Sequence, residues 1–189
     1  MTTVLLFHHA LGQTTGFLAF ADELRAAGHA VHTPDLLGGK TFQDLDEGVA
    51  YAKQIGFPEI MQLGSKVAAE LPADIVYAGF SLGVIPAQAL TQTRPGASGA
   101  LFYYSCIPPS EFDSPWPAGV PLQVHMMESD PWTEEDRPAA EALVEEIDGE
   151  LFLYPGSAHL FADSSTDDYD ESAAALLKER TLAFLNRFG

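Results

Sequence analysis

The apolar run Ile75-Val76-Tyr77-Ala78 leads without a break into Gly79-Phe80-Ser81-Leu82-Gly83, and a segment with helical spacing follows at once. A serine between two such glycines, at the junction of a strand and a helix, restricts the backbone severely. The turn must be tight, its central residue takes strained dihedrals, and the flanking glycines let strand and helix pass without Cβ clashes. The serine hydroxyl is then held out at the carboxyl end of a sheet, with the first amides of the helix aimed at any negative charge that develops beside it. Read alone, the same letters also describe a glycine-rich turn whose serine caps a helix. The rest of the chain bears on the choice.

Short β-branched and aromatic runs alternate with longer stretches of helical periodicity, the pattern produced by parallel strands joined through crossover helices, so the expected class is α/β. Strands are predicted at Thr3 to His8, Ala30 to Thr33, Asp74 to Phe80, Ala100 to Tyr104, Leu122 to Met127 and Glu150 to Tyr154. Helices are predicted at Thr15 to Ala27, ended by Gly28, and at Asp44 to Ile55 and Glu59 to Leu71, separated at Gly56 and Pro58. Further helices are expected at Leu82 to Thr93, Thr133 to Ile147 and Tyr169 to Phe188. Ile107 to Gly119 holds four prolines and reads as an ordered loop.

A length of 189 residues suits one domain, 1–189, with a substantial core. No apolar stretch is long enough to span a bilayer, and Val4 to Phe7 ends at two histidines with no basic cluster before it, which predicts neither signal peptide nor membrane association and makes the cytoplasm the default compartment. The single cysteine, Cys106, has no partner for a disulfide and no zinc-like grouping around it, so neither a metal site nor redox chemistry is expected. A formal charge of −18 repels phosphate backbones and anionic lipids, which argues against nucleic acid as a partner.

If Ser81 is a nucleophile, an acid should follow at the end of a later strand and a histidine in the loop after the last one. Glu128-Ser129-Asp130-Pro131-Trp132 closes the strand ending at Met127, placing Asp130 at the carboxyl edge, and Tyr154-Pro155-Gly156-Ser157-Ala158-His159 places His159 in a loop just past the sixth strand. A turn-forming Asp before Pro and a solvated loop histidine are the bland readings of each residue taken singly. Order, strand-end placement and spacing agree on the catalytic one. The oxyanion of such a reaction would be held by the backbone N–H groups of Leu82 and Ala10, the latter in the loop His8-His9-Ala10-Leu11-Gly12 after the first strand.

These segments together resemble the dienelactone hydrolase family over nearly the whole chain: the start Val4 to Gly12, Thr33-Pro34-Asp35-Leu36, the pentapeptide around Ser81, Glu128 to Trp132, and Tyr154-Pro155-Gly156 through His159-Leu160-Phe161-Ala162-Asp163. The resemblance implies a three-layer α/β-hydrolase fold with a mostly parallel central sheet and no large cap domain, no cofactor, and hydrolysis through an acyl-enzyme intermediate. The best-known members carry cysteine at the position of Ser81, so a conventional serine cycle is expected here. They also hold a glutamate where His9 stands, and their carboxylate-gripping basic residues have no counterpart. With Asp163 placed to repel a carboxylate, a neutral small-molecule ester or lactone is the expected substrate.

His9, Leu11, Cys106, Trp132 and Leu160 are expected to line the substrate pocket. Tyr104, Phe161 and the proline-rich Ile107 to Trp116 segment are further wall candidates. A non-catalytic small-molecule-binding module on the same fold, and an acyltransferase or thioesterase using the same residues, are the alternatives. Monomer and homodimer are equally compatible with the sequence.

Overall fold

The computed structural model describes residues 1–189. Its strands are β1 (Thr3–Phe7), β2 (Ala30–His32), β3 (Val76–Phe80), β4 (Gly99–Tyr103), β5 (Leu122–Met127) and β6 (Glu150–Tyr154). The helices are α1 (Thr15–Ala26), α2 (Leu45–Ile55), α3 (Phe57–Ala69), α4 (Val84–Thr93), α5 (Arg137–Ile147) and α6 (Glu171–Leu185). The six strands form one sheet in the order β2-β1-β3-β4-β5-β6. Every pairing is parallel, so the sheet is wholly rather than mostly parallel.

Burial on both faces explains why the strands read as continuous apolar runs. Val4, Leu6, Val76, Ala78, Leu101 and Tyr103 face α1 and α6, where they pack with Phe17, Phe20, Leu24, Leu177 and Phe184. The alternate residues Leu5, Phe7, Tyr77, Phe102, Val124 and Met126 pack with Ala52, Ile60, Ala68, Val84, Leu90, Ala140 and Leu143 from α2 to α5. The result is helix, sheet, helix. None of the helices is long and apolar enough to cross a membrane.

Element boundaries follow local capping. Thr14, Asp44 and Asp170 accept N–H groups of Phe17, Glu47 and Ala173 at the starts of α1, α2 and α6. The last helix therefore opens at Glu171, not Tyr169. Gly56, at φ 92°, alone separates α2 from α3, and Pro58 falls in the first turn of α3, where a missing N–H costs nothing. The fifth helix starts at Arg137 instead of Thr133, because the Thr133 amide and hydroxyl both turn back to the Asp130 carbonyl, at 3.1 and 3.2 Å. Residues Ser81–Gly83 form a 3₁₀ turn ahead of α4.

The register aligns Phe7 with Gly79, Phe80 with Tyr103, and Met127 with Tyr154. The loops that leave β1, β3, β4, β5 and β6 consequently open on one edge of the sheet, the carboxyl edge on which such folds place their ligands.

Candidate active site

Ser81 follows β3 directly and has φ +49°, a conformation that L side chains seldom adopt. The glycines around it are required by contact. A Cβ on Gly79 would sit 2.2 Å from the Gly83 carbonyl oxygen, and one on Gly83 would sit 2.5 Å from the Phe7 oxygen at the end of β1. The close approach of strand, turn and helix inferred from the pentapeptide is thus present, and the strain at Ser81 is held by these backbone contacts.

Asp130 and His159 come to the same edge from β5 and β6. The two loops that carry them are tied together, since the Glu128 and Ser129 amides donate to the carbonyls of Tyr154 and Gly156 at 2.8 and 3.0 Å. Ser81 Oγ lies 2.8 Å from His159 Nε2, and His159 Nδ1 lies 2.6 Å from Asp130 Oδ2. The other Asp130 oxygen accepts the Trp132 amide at 2.9 Å. His159 and Asp130 are 5% and 3% exposed, whereas Ser81 is only half-buried. A buried carboxylate orients the imidazole, the imidazole faces the hydroxyl, and Ser81 is the least buried of the three residues.

Ser81 and His159 open into a cavity of about 270 Å³ lined mainly by apolar side chains, among them Val49, Phe57, Ile85, Ile107 and Trp132. The Trp132 ring stands 5.8 Å from that of His159. Trp132 and Phe57 are among the few exposed large apolar residues, at 46% and 40%. Tyr104 and Ser105 also line the cavity, together with one carboxylate, Asp136. Burial raises the Asp136 pKa above the usual carboxylate value, opposed by the Ser105 hydroxyl that donates to it at 2.5 Å. No Lys or Arg lines this space.

Several residues expected in the pocket are elsewhere. His9 is 1% exposed and faces Asp163, at 2.8 Å, because a ring at the end of a central strand is enclosed by Phe17 and Phe80. His8 is likewise buried, its ring engaged by the His9 carbonyl and the Leu36 amide at 2.7 and 2.9 Å. Cys106 points into the core on the α2–α5 side, where burial first and then the Asp136 charge push its thiol up to about 12. Leu11 and Leu160 line a different, polar cleft of about 620 Å³, bordered by Thr14, Phe42, Leu45 and Asp168. Phe161 is fully buried against Tyr104. Of the proline-rich segment only Ile107 reaches the cavity wall. Asp163, expected to repel an anionic substrate, is turned inward, and the carboxylate that does face the cavity is Asp136.

The sequence reading missed Val49, Ala52, Phe57 and Ile85, which cover the cavity from α2, α3 and α4. Val49, Ala52 and Ile85 fall within predicted helices and Phe57 at the break between two, and nothing local distinguishes a core face from a pocket wall. Among the proposed oxyanion donors, Leu82 is the middle residue of the 3₁₀ turn Ser81–Gly83, and Ala10 is fully buried in the loop after β1. No group of three or more His, Cys, Asp or Glu side chains is arranged to hold a metal ion.

Solved structures share this architecture. A dienelactone hydrolase-like promiscuous phosphotriesterase from metagenomic libraries superposes with a TM-score of 0.76 at 15% identity, covering 100% of this chain and 87% of that one. Dienelactone hydrolase from Anabaena variabilis gives 0.66 at 14% identity, with 100% and 87% covered. Tomato methylketone synthase I, complexed with 2-tridecanone, gives 0.66 at 16% identity, with 100% and 99% covered. These likenesses establish the α/β-hydrolase fold. No curated protein sequence matches the chain significantly. The model of the dienelactone hydrolase family, by contrast, matches residues 1–189 in full, and the chain belongs to that family.

Proposed function

We propose that this protein is a serine hydrolase that cleaves an ester or lactone bond of a small neutral molecule. The observation that carries the reading is the unbroken relay from Asp130 through His159 to Ser81, ending on a half-buried serine that lines an apolar cavity. In a pure binding module, a strained serine aligned with a carboxylate-oriented imidazole would have no function.

His159 Nε2 takes the Ser81 proton as Oγ bonds to the substrate carbonyl carbon, and the carbonyl π electrons move to oxygen. Asp130 keeps the Nδ1 proton in place and offsets the imidazolium charge. Backbone donors, for which Leu82 and Ala10 are the candidates, hold the oxyanion. Its collapse breaks the bond to the leaving oxygen, which receives the proton from His159. Water then gives its proton to His159, attacks the acyl-enzyme and releases the acid as Ser81 recovers its hydrogen. The cavity volume limits the acyl part to a small group, and the apolar walls with Phe57 and Trp132 beside the opening favour an uncharged one.

The test is intact mass after exposure to a fluorophosphonate, with peptide mapping. Stoichiometric label on Ser81, lost in Ser81→Ala and His159→Ala, is the expected result. A folded wild-type protein that remains unlabelled would overturn the assignment.

A further inference from the structure

A second buried histidine–carboxylate pair, which the relay does not use, joins the loop after β1 to the loop that carries His159. His9 Nε2 lies 2.8 Å from Asp163 Oδ2, and the two side chains are 1% and 3% exposed. The Leu11 amide, which can only donate, meets His9 Nδ1 at 3.3 Å, so the ring proton resides on Nε2 and is donated to Asp163. Burial lowers the His9 pKa against the pull of Asp163, which keeps the ring neutral. For Asp163, burial acts upward, but hydrogen bonds from His9, Ser165 and Thr14 outweigh it and hold the carboxyl at about 2.

That single carboxylate gathers three segments. Oδ2 accepts from His9 and from the hydroxyl of Thr14, the cap of α1. Oδ1 accepts the amide and hydroxyl of Ser165, at 2.8 and 2.6 Å. Gly16, in the first turn of α1, leaves room for it, because a Cβ there would fall 1.8 Å from Oδ1. The helix N-terminus adds a favourable field.

The loop itself is pinned peptide by peptide. The His9 carbonyl accepts from His8 Nδ1 at 2.7 Å and from the Gly12 amide at 3.0 Å. Across a trans peptide the C=O and N–H point in opposite directions, so this anchorage turns the Ala10 N–H away from those partners. Ala10 is fully buried, yet its amide donates to no acceptor in the chain. The next peptide is held on both sides, its N–H on the His9 ring and its carbonyl against α2, where a Cβ on Gly48 would come within 2.3 Å of the Ala10 oxygen. An idle buried donor on a rigid turn is the arrangement an oxyanion site needs.

We propose that His9 and Asp163 are positioning residues that present the Ala10 N–H as an oxyanion donor and lock it in register with His159. This rests on the reading of Ser81 as nucleophile. The dyad exchanges no proton with substrate and acts only by fixing the loop, so its effect belongs to the transition state.

The test compares wild type, His9→Phe, Asp163→Asn and the double variant on p-nitrophenyl acetate, with a trifluoromethyl ketone as a probe that adds Ser81 to form a hemiketal oxyanion. Each folded single variant is expected to lose about 10- to 100-fold in kcat with KM within about twofold, less than complete loss of an oxyanion donor. The ketone should weaken by the same factor, and the double variant should lose no more than the worse single one. Near-wild-type kcat in a folded single variant, or ketone affinity that does not follow kcat, overturns the proposal. Should the variants fail to fold, ¹⁵N-alanine-labelled wild type decides: adduct formation should move the Ala10 amide proton downfield, and an unmoved Ala10 refutes the assignment. Absence of any adduct in the wild type would remove the Ser81 reading, and this proposal with it, whereas an adduct with Ala10 unmoved removes this proposal alone.

Discussion

Two carboxylates near Ser81 differ in role because they differ in what faces them. Asp130 meets His159 at 2.6 Å and the Trp132 amide at 2.9 Å, so its oxygens are committed to holding the ring. Asp130→Asn should preserve the fold but present the wrong hydrogen-bonding group to Nδ1, and kcat should fall by about 10⁴, as measured by single-turnover hydrolysis of an activated ester. Asp136 instead lines the cavity, which has no Lys or Arg in its wall. Its charge opposes any substrate carrying a carboxylate. In Asp136→Asn the ratio of kcat/KM for a carboxylate-bearing lactone to that for its neutral methyl ester should rise by about tenfold, roughly the effect of removing one close like charge in a half-wet site. Paired kinetics on the two lactones reads this directly.

The turn from β3 through Ser81 into α4 works as an element because three backbones come within contact distance of one another. Gly83 has φ −66°, which any residue can adopt, so only space forbids a side chain there. Gly83→Ala should therefore destabilise the protein by about 1–3 kcal/mol through overpacking against the Phe7 and His8 carbonyls, seen as a lower Tm, and should also disturb the Ser81 geometry. At Ser81 the positive φ is itself a cost that surrounding contacts must meet. The elements around it were largely legible in the sequence, since strand runs, glycine stops and Asp or Thr caps are local signals. The missed start of α5 arises from a nonperiodic cause: Thr133 bonds back to the Asp130 carbonyl and delays the helix to Arg137.

Across the whole molecule, pH should act through histidines buried in a neutral state. His125 in β5 is fully enclosed, bonded to the Tyr154 hydroxyl at 2.9 Å, and lowered to about 3 by burial and then by the nearby Arg180 charge. The unfolded chain binds a proton at this histidine below its ordinary 6.5 while the folded chain does not, so stability is present above 6.5 and lost as pH falls toward about 3. His9, also lowered by burial, adds to the loss in the same direction. Each such group contributes a slope of up to about 1.4 kcal/mol per pH unit. Urea midpoints between pH 7 and pH 4 should show a decline that is shallower in His125→Phe; a parallel decline in the variant would assign the effect elsewhere.

The sequence by itself determined the α/β class, the pentapeptide turn, and the order in which Ser81, Asp130 and His159 reach strand ends, because periodicity and turn chemistry are encoded within a few residues of where they act. It could not determine which way a side chain at a strand end points. His9 and Cys106 were assigned to a pocket and are buried in the core, whereas Val49, Phe57 and Ile85, which were given no role at the site, wall the cavity. Those outcomes depend on how the loops and helices α2 to α4 fold over the carboxyl edge. Such packing is set by contacts between residues far apart in the chain, and only the tertiary structure decides them.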